Sequence, residues 1–399
     1  MGQAISIFGD QFYFIALPLL TLQLTGSAFS LGTVLMATGA TRAVFELIGG
    51  ALSDRFSPRT LMLASNVLRA VLTIIIAVII FTGVIQLWHL YALSIAFGFV
   101  DAFFYPAYFS VTPRIVLEEH LTASNALLRG TNRLMMPLGA AAAGLIIQAG
   151  SFAAAFAIDA MTFVFSAAMI YCIVEEKRSA ANEEPRQTEK FRLKELFASI
   201  GEGLRYSWSH PLVRTLLFFI SAVEFSFAGL STVGLAMISK TRFPGADPES
   251  IGAAAFATMQ AAFSCGMLIG MFLAGLINLP RQRGRVIIGM IALAGVGFTM
   301  VGFATDIVSA ALVLVVTGIG GGLANILVMG WLQARTDVRV LGRVMSLLTF
   351  SMSVLEPLSF ALAGIMADVS VTILFFIGGS IMLAASLLSI MSPAMRTSD

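Results

Sequence analysis

This sequence is short of charge. Only 12% of its 399 residues are Asp, Glu, Lys or Arg, against about 25% in soluble domains, so half of the usual solvated surface is missing. A water-soluble enzyme or nucleic-acid binder of this size is excluded, and a net charge of +2 is too small to indicate a polyanionic partner. Cysteine is nearly absent: Cys172 and Cys265 both lie in apolar runs and make neither a disulfide framework nor a metal site. The histidines His89, His120 and His210 are scattered and offer no pair with metal-ligand spacing. No Gly-x4-Gly-Lys-Ser/Thr loop occurs, so ATP is not the direct energy source. The glycines Gly318, Gly320, Gly321 and Gly322 sit inside an apolar run with no preceding strand, which makes them helix-packing material. No cofactor and no metal is expected.

What the chain has instead is hydrocarbon. Hydrophobic residues make up 58% and the mean hydropathy is +0.91. A bilayer core of about 30 Å needs roughly 20 apolar residues per helix. Twelve runs qualify, near 3–24, 30–52, 60–82, 88–111, 125–149, 153–174, 212–239, 252–279, 286–305, 308–334, 344–367 and 372–391. They are far too long for barrel strands of roughly ten alternating residues. The first run has no basic region before it and no small-residue cleavage site after it, and so reads as a membrane helix rather than a removable signal. It begins almost at Met1, which leaves the expectation that some natural amino-terminal residues are missing. Seventeen of the 24 Lys and Arg fall at the termini and in the even-to-odd loops, and only Lys240 and Arg242 fall on the other side. This asymmetry predicts both termini in the cytoplasm.

The expected organisation is a six-helix bundle over 1–174, a linker over 175–211, a second six-helix bundle over 212–391 and a tail over 392–399. Within the linker, Phe191, Leu193, Leu196, Phe197 and Ile200 recur at helical spacing, as in a helix lying on the membrane surface. The halves repeat at an offset of 220 residues: Gly98 with Gly318, Leu127-Leu128 with Leu347-Leu348, Pro137-Leu138 with Pro357-Leu358, and Gly144 with Gly364. Asp10 and Glu224 correspond at a slightly different offset. Duplicated bundles are a transporter architecture with the substrate site at the midplane between them.

The loop after the second run reads Gly50-Ala51-Leu52-Ser53-Asp54-Arg55-Phe56-Ser57-Pro58-Arg59. It resembles motif A of the major facilitator superfamily. Asp101 to Ala107, Pro113-Arg114, Leu121 to Leu127, Gly9-Asp10 and Asp159-Ala160 are similar to the subfamily of macrolide-efflux and enterobactin-export proteins. The resemblance covers essentially the whole chain. It implies an all-α fold of twelve transmembrane helices in two pseudo-symmetric bundles, and transport by alternating access. It also implies that Gly50, Asp54, Arg55 and Arg59 form a latch on the cytoplasmic side.

Ionisable groups inside spans are functional candidates by default. At 1.5 Å per residue, Asp10, Arg42, Glu46, Arg69, Asp101 and Arg133 share a level about 10–16 Å from the cytoplasmic edge, with Arg129 one turn shallower. They are expected to form a charge network. Arg42 and Glu46 are spaced to share one helix face. Glu224 and Glu356 lie about 18–19 Å deep in a half with no embedded base except Arg214, near its edge. An embedded acid without a basic partner is suited to take up a proton on one side and lose it on the other. Proton coupling is therefore expected at Asp10, Glu224, Glu356 and Asp101. Asp159, about 9 Å from the outer edge, reads as structural. Phe12, Tyr13, Phe103, Tyr105, Phe225 and Phe227 flank these acids and are expected to line an apolar cavity.

These readings converge on a monomeric secondary transporter in a bacterial cytoplasmic membrane. Its expected partners are the lipid bilayer, protons and a small hydrophobic or amphipathic substrate, which it exports. Alternatives are export of a siderophore, movement of a lysolipid, or, more remotely, a membrane-embedded enzyme or a non-transporting sensor.

Overall fold

A computed structural model describes residues 2–53, 57–116, 120–172, 211–244, 252–276, 283–335 and 338–391. The expected linker helix and the tail lie outside them. Among the described residues each expected run corresponds to a helix. The helices are α1 (Gly2–Thr25), α2 (Ala28–Ser53), α3 (Pro58–Phe81), α4 (Leu87–Ile115), α5 (Leu121–Gln148) and α6 (Phe152–Tyr171). The second half starts with α7, which comprises Pro211–Gly229, a π-helical turn Leu230–Gly234 and Leu235–Arg242. It continues with α8 (Ala253–Leu276), α9 (Arg283–Val301), α10 (Ile307–Arg335), α11 (Val338–Val369) and α12 (Val371–Met391). Eleven of these are long and apolar enough to cross a membrane. The exception, α5, carries Asn125, Arg129, Asn132 and Arg133 along its length.

Turn chemistry ends the helices where the sequence allows. Gly26, at φ +72, reverses the chain between α1 and α2 in a conformation that Cβ-bearing residues rarely adopt. Asp306 starts α10 by accepting from the Ser309 amide at 2.8 Å and the Ser309 hydroxyl at 2.7 Å. Those donors hold its exposed carboxyl below the usual carboxylate range.

The two bundles share one packing plan. In the first, α1 packs on α5 and α6, α2 on α4, and α3 on α4 and α6; in the second, α7 packs on α11 and α12, α8 on α10, and α9 on α10 and α12. The register agrees as well. A Cβ on Gly98 would collide with the Thr38 carbonyl of α2, and one on Gly318 with the Phe263 carbonyl of α8, so the same small residue permits the same close crossing twice.

The bundles join through two symmetry-related pairs, α2 with α11 and α5 with α8. At the end opposite the termini, Asp368 of α11 caps α2 of the other bundle. Its carboxylate accepts from the amides of Ala28 (2.6 Å) and Phe29 (2.9 Å) and from the Ser27 hydroxyl (2.8 Å), satisfying orphan donors at a helix N-terminus. Lys240 Nζ donates to the Leu22 carbonyl at 2.7 Å beside it. Further along the seam Gly32 faces the Phe360 carbonyl, Gly364 faces Ala28, and Gly39 faces the Pro357 ring. A Leu at Gly32 should force α2 off α11 and lower stability by roughly 1–3 kcal/mol. Gly130, with nothing within 4 Å of its Cβ position, should accept Leu with little change. Thermal unfolding of the purified protein in detergent compares the two.

Candidate functional site

Four charged residues inside the first bundle, Asp10, Arg69, Asp101 and Asp159, act on one another. Arg69 of α3, 3% exposed, donates to the Asp101 carboxylate of α4. Its guanidinium stacks over the Phe104 ring at 4.3 Å and faces Phe163 at 5.6 Å. Asp10 of α1 lies within the field of Arg69, Asp101 and Asp159. Asp159 on α6 is wholly buried, and neither carboxylate oxygen has a hydrogen-bond partner among the described residues. Gln3 Oε1, Ser6 Oγ, Asn66 Oδ1 and Arg69 Nε share that condition. Gln3 and Ser6 belong to α1 and Asn66 and Arg69 to α3, helices that both pack on α6, and Asn66 also donates to Ser166 of α6 at 3.0 Å. Buried polar atoms are normally paired, so these orphans are a feature of the bundle. Depth alone made Asp159 look structural. Its full burial without a partner marks it as a candidate, and the only sequence signal was an acid in a run of Ala and Phe.

The expected network does not close within one bundle. Arg42 of α2 pairs with Glu356 of α11 across the seam, and Ser353 Oγ donates to Glu46 at 3.0 Å one turn away. Arg42 and Glu46 do share a face, but that face is turned to the other half. The expectation that Glu356 has no basic partner is thereby overturned, because its cation comes from the bundle that a search within its own half omits. Pro357 adjoins the pair. Lacking an N–H, it leaves the Ser353 carbonyl without its helical donor, a local loosening where the halves meet. Arg133 is partly buried on α5, and the side chain of Arg129 falls outside the described ones.

In the second bundle Glu224, Ile220, Val223 and Phe227 share one face of α7 and open on a cavity of about 150 Å³. Phe263 and Met267 of α8, Met290, Ile291 and Phe298 of α9, and Thr317, Gly321, Ala324 and Asn325 of α10 belong to its wall, to which α11 and α12 add Met352 and Met382. The π-helical turn begins three residues after Phe227, a distortion frequent at functional sites. Of the six aromatic residues expected at a cavity, Phe227 lines this one. Phe12 (2% exposed) and Tyr13 (5%) are core residues instead, Tyr13 stacked on Phe97 with ring centres 4.4 Å apart. Phe103 packs against Phe99 at 4.9 Å, and the Phe225 carbonyl accepts from Ser359 Oγ of α11. Tyr105 is exposed one helical turn beyond Asp101.

The Major Facilitator Superfamily model matches residues 1–360. The chain belongs to this superfamily. It is 24% identical to macrolide efflux protein A of Streptococcus pyogenes over 405 residues, covering 100% of this chain and 96% of that protein. The enterobactin exporter EntS of Escherichia coli is 23% identical over 88% of this chain and 79% of its own. A bacterial homologue of the human lysosomal transporter Spinster superposes with a TM-score of 0.70 at 11% identity, covering 100% of this chain and 95% of that one. The superfamily fold and a role in moving small molecules across a membrane follow from these matches. In the motif A segment, Gly50 lies near the end of α2, while Asp54 and Arg55 lie outside the described residues. Arg59 turns to its own bundle: Nε donates to the Ile170 carbonyl at 3.2 Å and Nη2 to the Tyr171 carbonyl. A cation on the last carbonyls of α6 complements that helix dipole, so Arg59 ties α3 to α6 rather than reaching the other bundle.

The Arg42–Glu356 pair is only partly buried, at 26% and 34% side-chain exposure, which places its worth between a surface and a buried bridge. Removing either partner, as Arg42→Met or Glu356→Gln, should cost roughly 1–3 kcal/mol. The double variant should cost less than the sum, with a coupling of at least about 0.5 kcal/mol, read from denaturation of all four proteins.

Proposed function

We propose that this transporter exports hydrophobic or amphipathic small molecules in exchange for protons entering the cell. The observation that carries this reading is the asymmetry between the bundles. One buries acids close to an arginine together with several unpartnered polar atoms; the other holds an apolar cavity beside a single acid. Buried polar atoms without partners are the sites that internal water and a moving proton require. Asp10 and Asp159 then carry the proton, with Arg69–Asp101 as the pair that responds to their charge. A cavity walled by Phe and Met, which pack adaptably, suits an apolar or amphipathic molecule. The names of the macrolide and enterobactin relatives support efflux.

Alternating access follows from the seam. The halves hold to each other from the Asp368 cap down to Glu46–Ser353, so exposing the opposite face requires α2 to part from α11 and Arg42 to release Glu356. The positive-inside asymmetry supports termini in the cytoplasm, and the side closed by Asp368 is then the outer one. Glu356 serves on this reading as half of a gate pair, a different task from the proton carriage expected of it.

Inside-out vesicles loaded by an imposed proton gradient test the proposal with a fluorescent hydrophobic dye as substrate. Asp10→Asn and Asp159→Asn should each cut gradient-driven uptake by about tenfold or more and leave gradient-independent exchange of dye intact. Uptake that keeps its gradient dependence in both variants would overturn the assignment.

A further inference from the structure

The internal repeat supplies a template for the cavity at Glu224. In the first bundle the central position holds a cation: Arg69, paired with Asp101 and stacked on Phe104. At an offset of 222, two residues more than that between Gly98 and Gly318, the buried residues Ser65, Asn66 and Arg69 of α3 align with the buried Ile287, Ile288 and Ile291 of α9. The register shared by Gly98 and Gly318 sets Gly321 opposite Asp101 and Ala324 opposite Phe104. Ile291, Gly321 and Ala324 are all cavity-wall residues. In the second bundle, therefore, the arginine, its carboxylate and the ring beneath it have been replaced by smaller or uncharged groups, while the acid on the first helix of the repeat is kept, as Glu224 for Asp10. The cavity occupies the place where the first bundle keeps its guanidinium.

Among the described residues Glu224 has no hydrogen bond and no ion pair, and the charged group that registers on it is another acid, Glu356. Phe227, Phe263 and Phe298 stand beside it as three mutually packed rings, with centres 5.3, 5.9 and 6.1 Å apart. An anion among aromatic faces is the setting that receives an organic ammonium, since a cation within about 6 Å of a ring is drawn to its face. The wall also says which ammonium. Besides Glu224 the wall offers few acceptors: the Thr317 hydroxyl, which itself donates to the Val313 carbonyl at 2.8 Å, and the Asn325 side chain. A guanidinium has to place five N–H donors among them, whereas a tertiary or quaternary ammonium brings at most one. The volume, about 150 Å³, equals that of an apolar protein cavity that admits benzene and falls below the roughly 300 Å³ that a whole drug-sized ligand occupies.

We infer that the Glu224 cavity is a subsite for the tertiary or quaternary ammonium group of a substrate, which takes the place that Arg69 fills in the other bundle. The rest of such a substrate lies outside the cavity. The inference rests on the transport reading for its meaning but not for its test, which needs neither a gradient nor a membrane.

The probe is radiolabelled benzyltrimethylammonium, bound to the purified full-length protein in detergent. Saturable binding is expected, with no competition from its uncharged carbon analogue neopentylbenzene. Glu224→Gln should weaken binding by about tenfold or more. Gly321→Leu should do the same with the charge untouched, because a side chain there would enter the cavity. Its Cβ meets only the Phe263 ring, at 4.0 Å, so this variant should keep the wild-type melting temperature. No saturable binding, equal competition by the neutral analogue, or unchanged affinity in both variants would overturn the inference. Each of those results would leave the vesicle assay free to uphold proton-driven export of other substrates.

Discussion

Hydrocarbon solvates no charge, so every ionised side chain inside this molecule has to be met by another group of the protein. Most of the internal organisation is a response to that constraint. Arg69 is met by a carboxylate and two rings, Arg42 by a glutamate from the opposite bundle, and Asp368 by the open end of α2. Where one of these partnerships crosses the seam it becomes a mechanical element, because the halves cannot separate without exposing the charge. The same constraint turns an acid with no partner into a place that asks for one, whether a proton or a ligand cation.

The duplicated plan makes the departures from symmetry informative. Small residues recur at the helix crossings in both halves, and Gly98 and Gly318 give α4 and α10 the same approach to their neighbours. The centres of the bundles have diverged. One is filled by a salt bridge on aromatic rings and the other is partly empty beside Glu224. Since packing density inside proteins is nearly uniform, a void at the symmetry-equivalent place of a filled one marks a division of labour between halves built to one design.

Much of the fold was legible in the sequence. Apolar run lengths placed twelve helices to within about six residues of their ends, α5 among them despite its arginines. Arg69 and Asp101 were grouped by depth alone, and their side chains form an ion pair. Side-chain direction was harder. Phe12 and Tyr13 adjoin Asp10 in sequence, yet side chains of neighbouring helices such as Phe97 close over them and make them core residues. Arg42 and Glu46 were paired by their four-residue spacing, but the closer partners came from a helix 300 residues away. Asp368, just past the end expected for its run, caps a helix of the other bundle, which no pattern along the chain could announce.

By itself, then, the sequence determined the solvent, the number of crossings and the twofold repetition, because hydrophobicity and spacing act along the chain and need no knowledge of neighbours. Tertiary structure alone decided which charges neutralise each other, which aromatic residues face open space, and which of two equivalent centres is hollow. Those are properties of surfaces brought together from helices far apart in the chain, and free energies of burial and pairing depend on the partner across the gap rather than on the residue beside it.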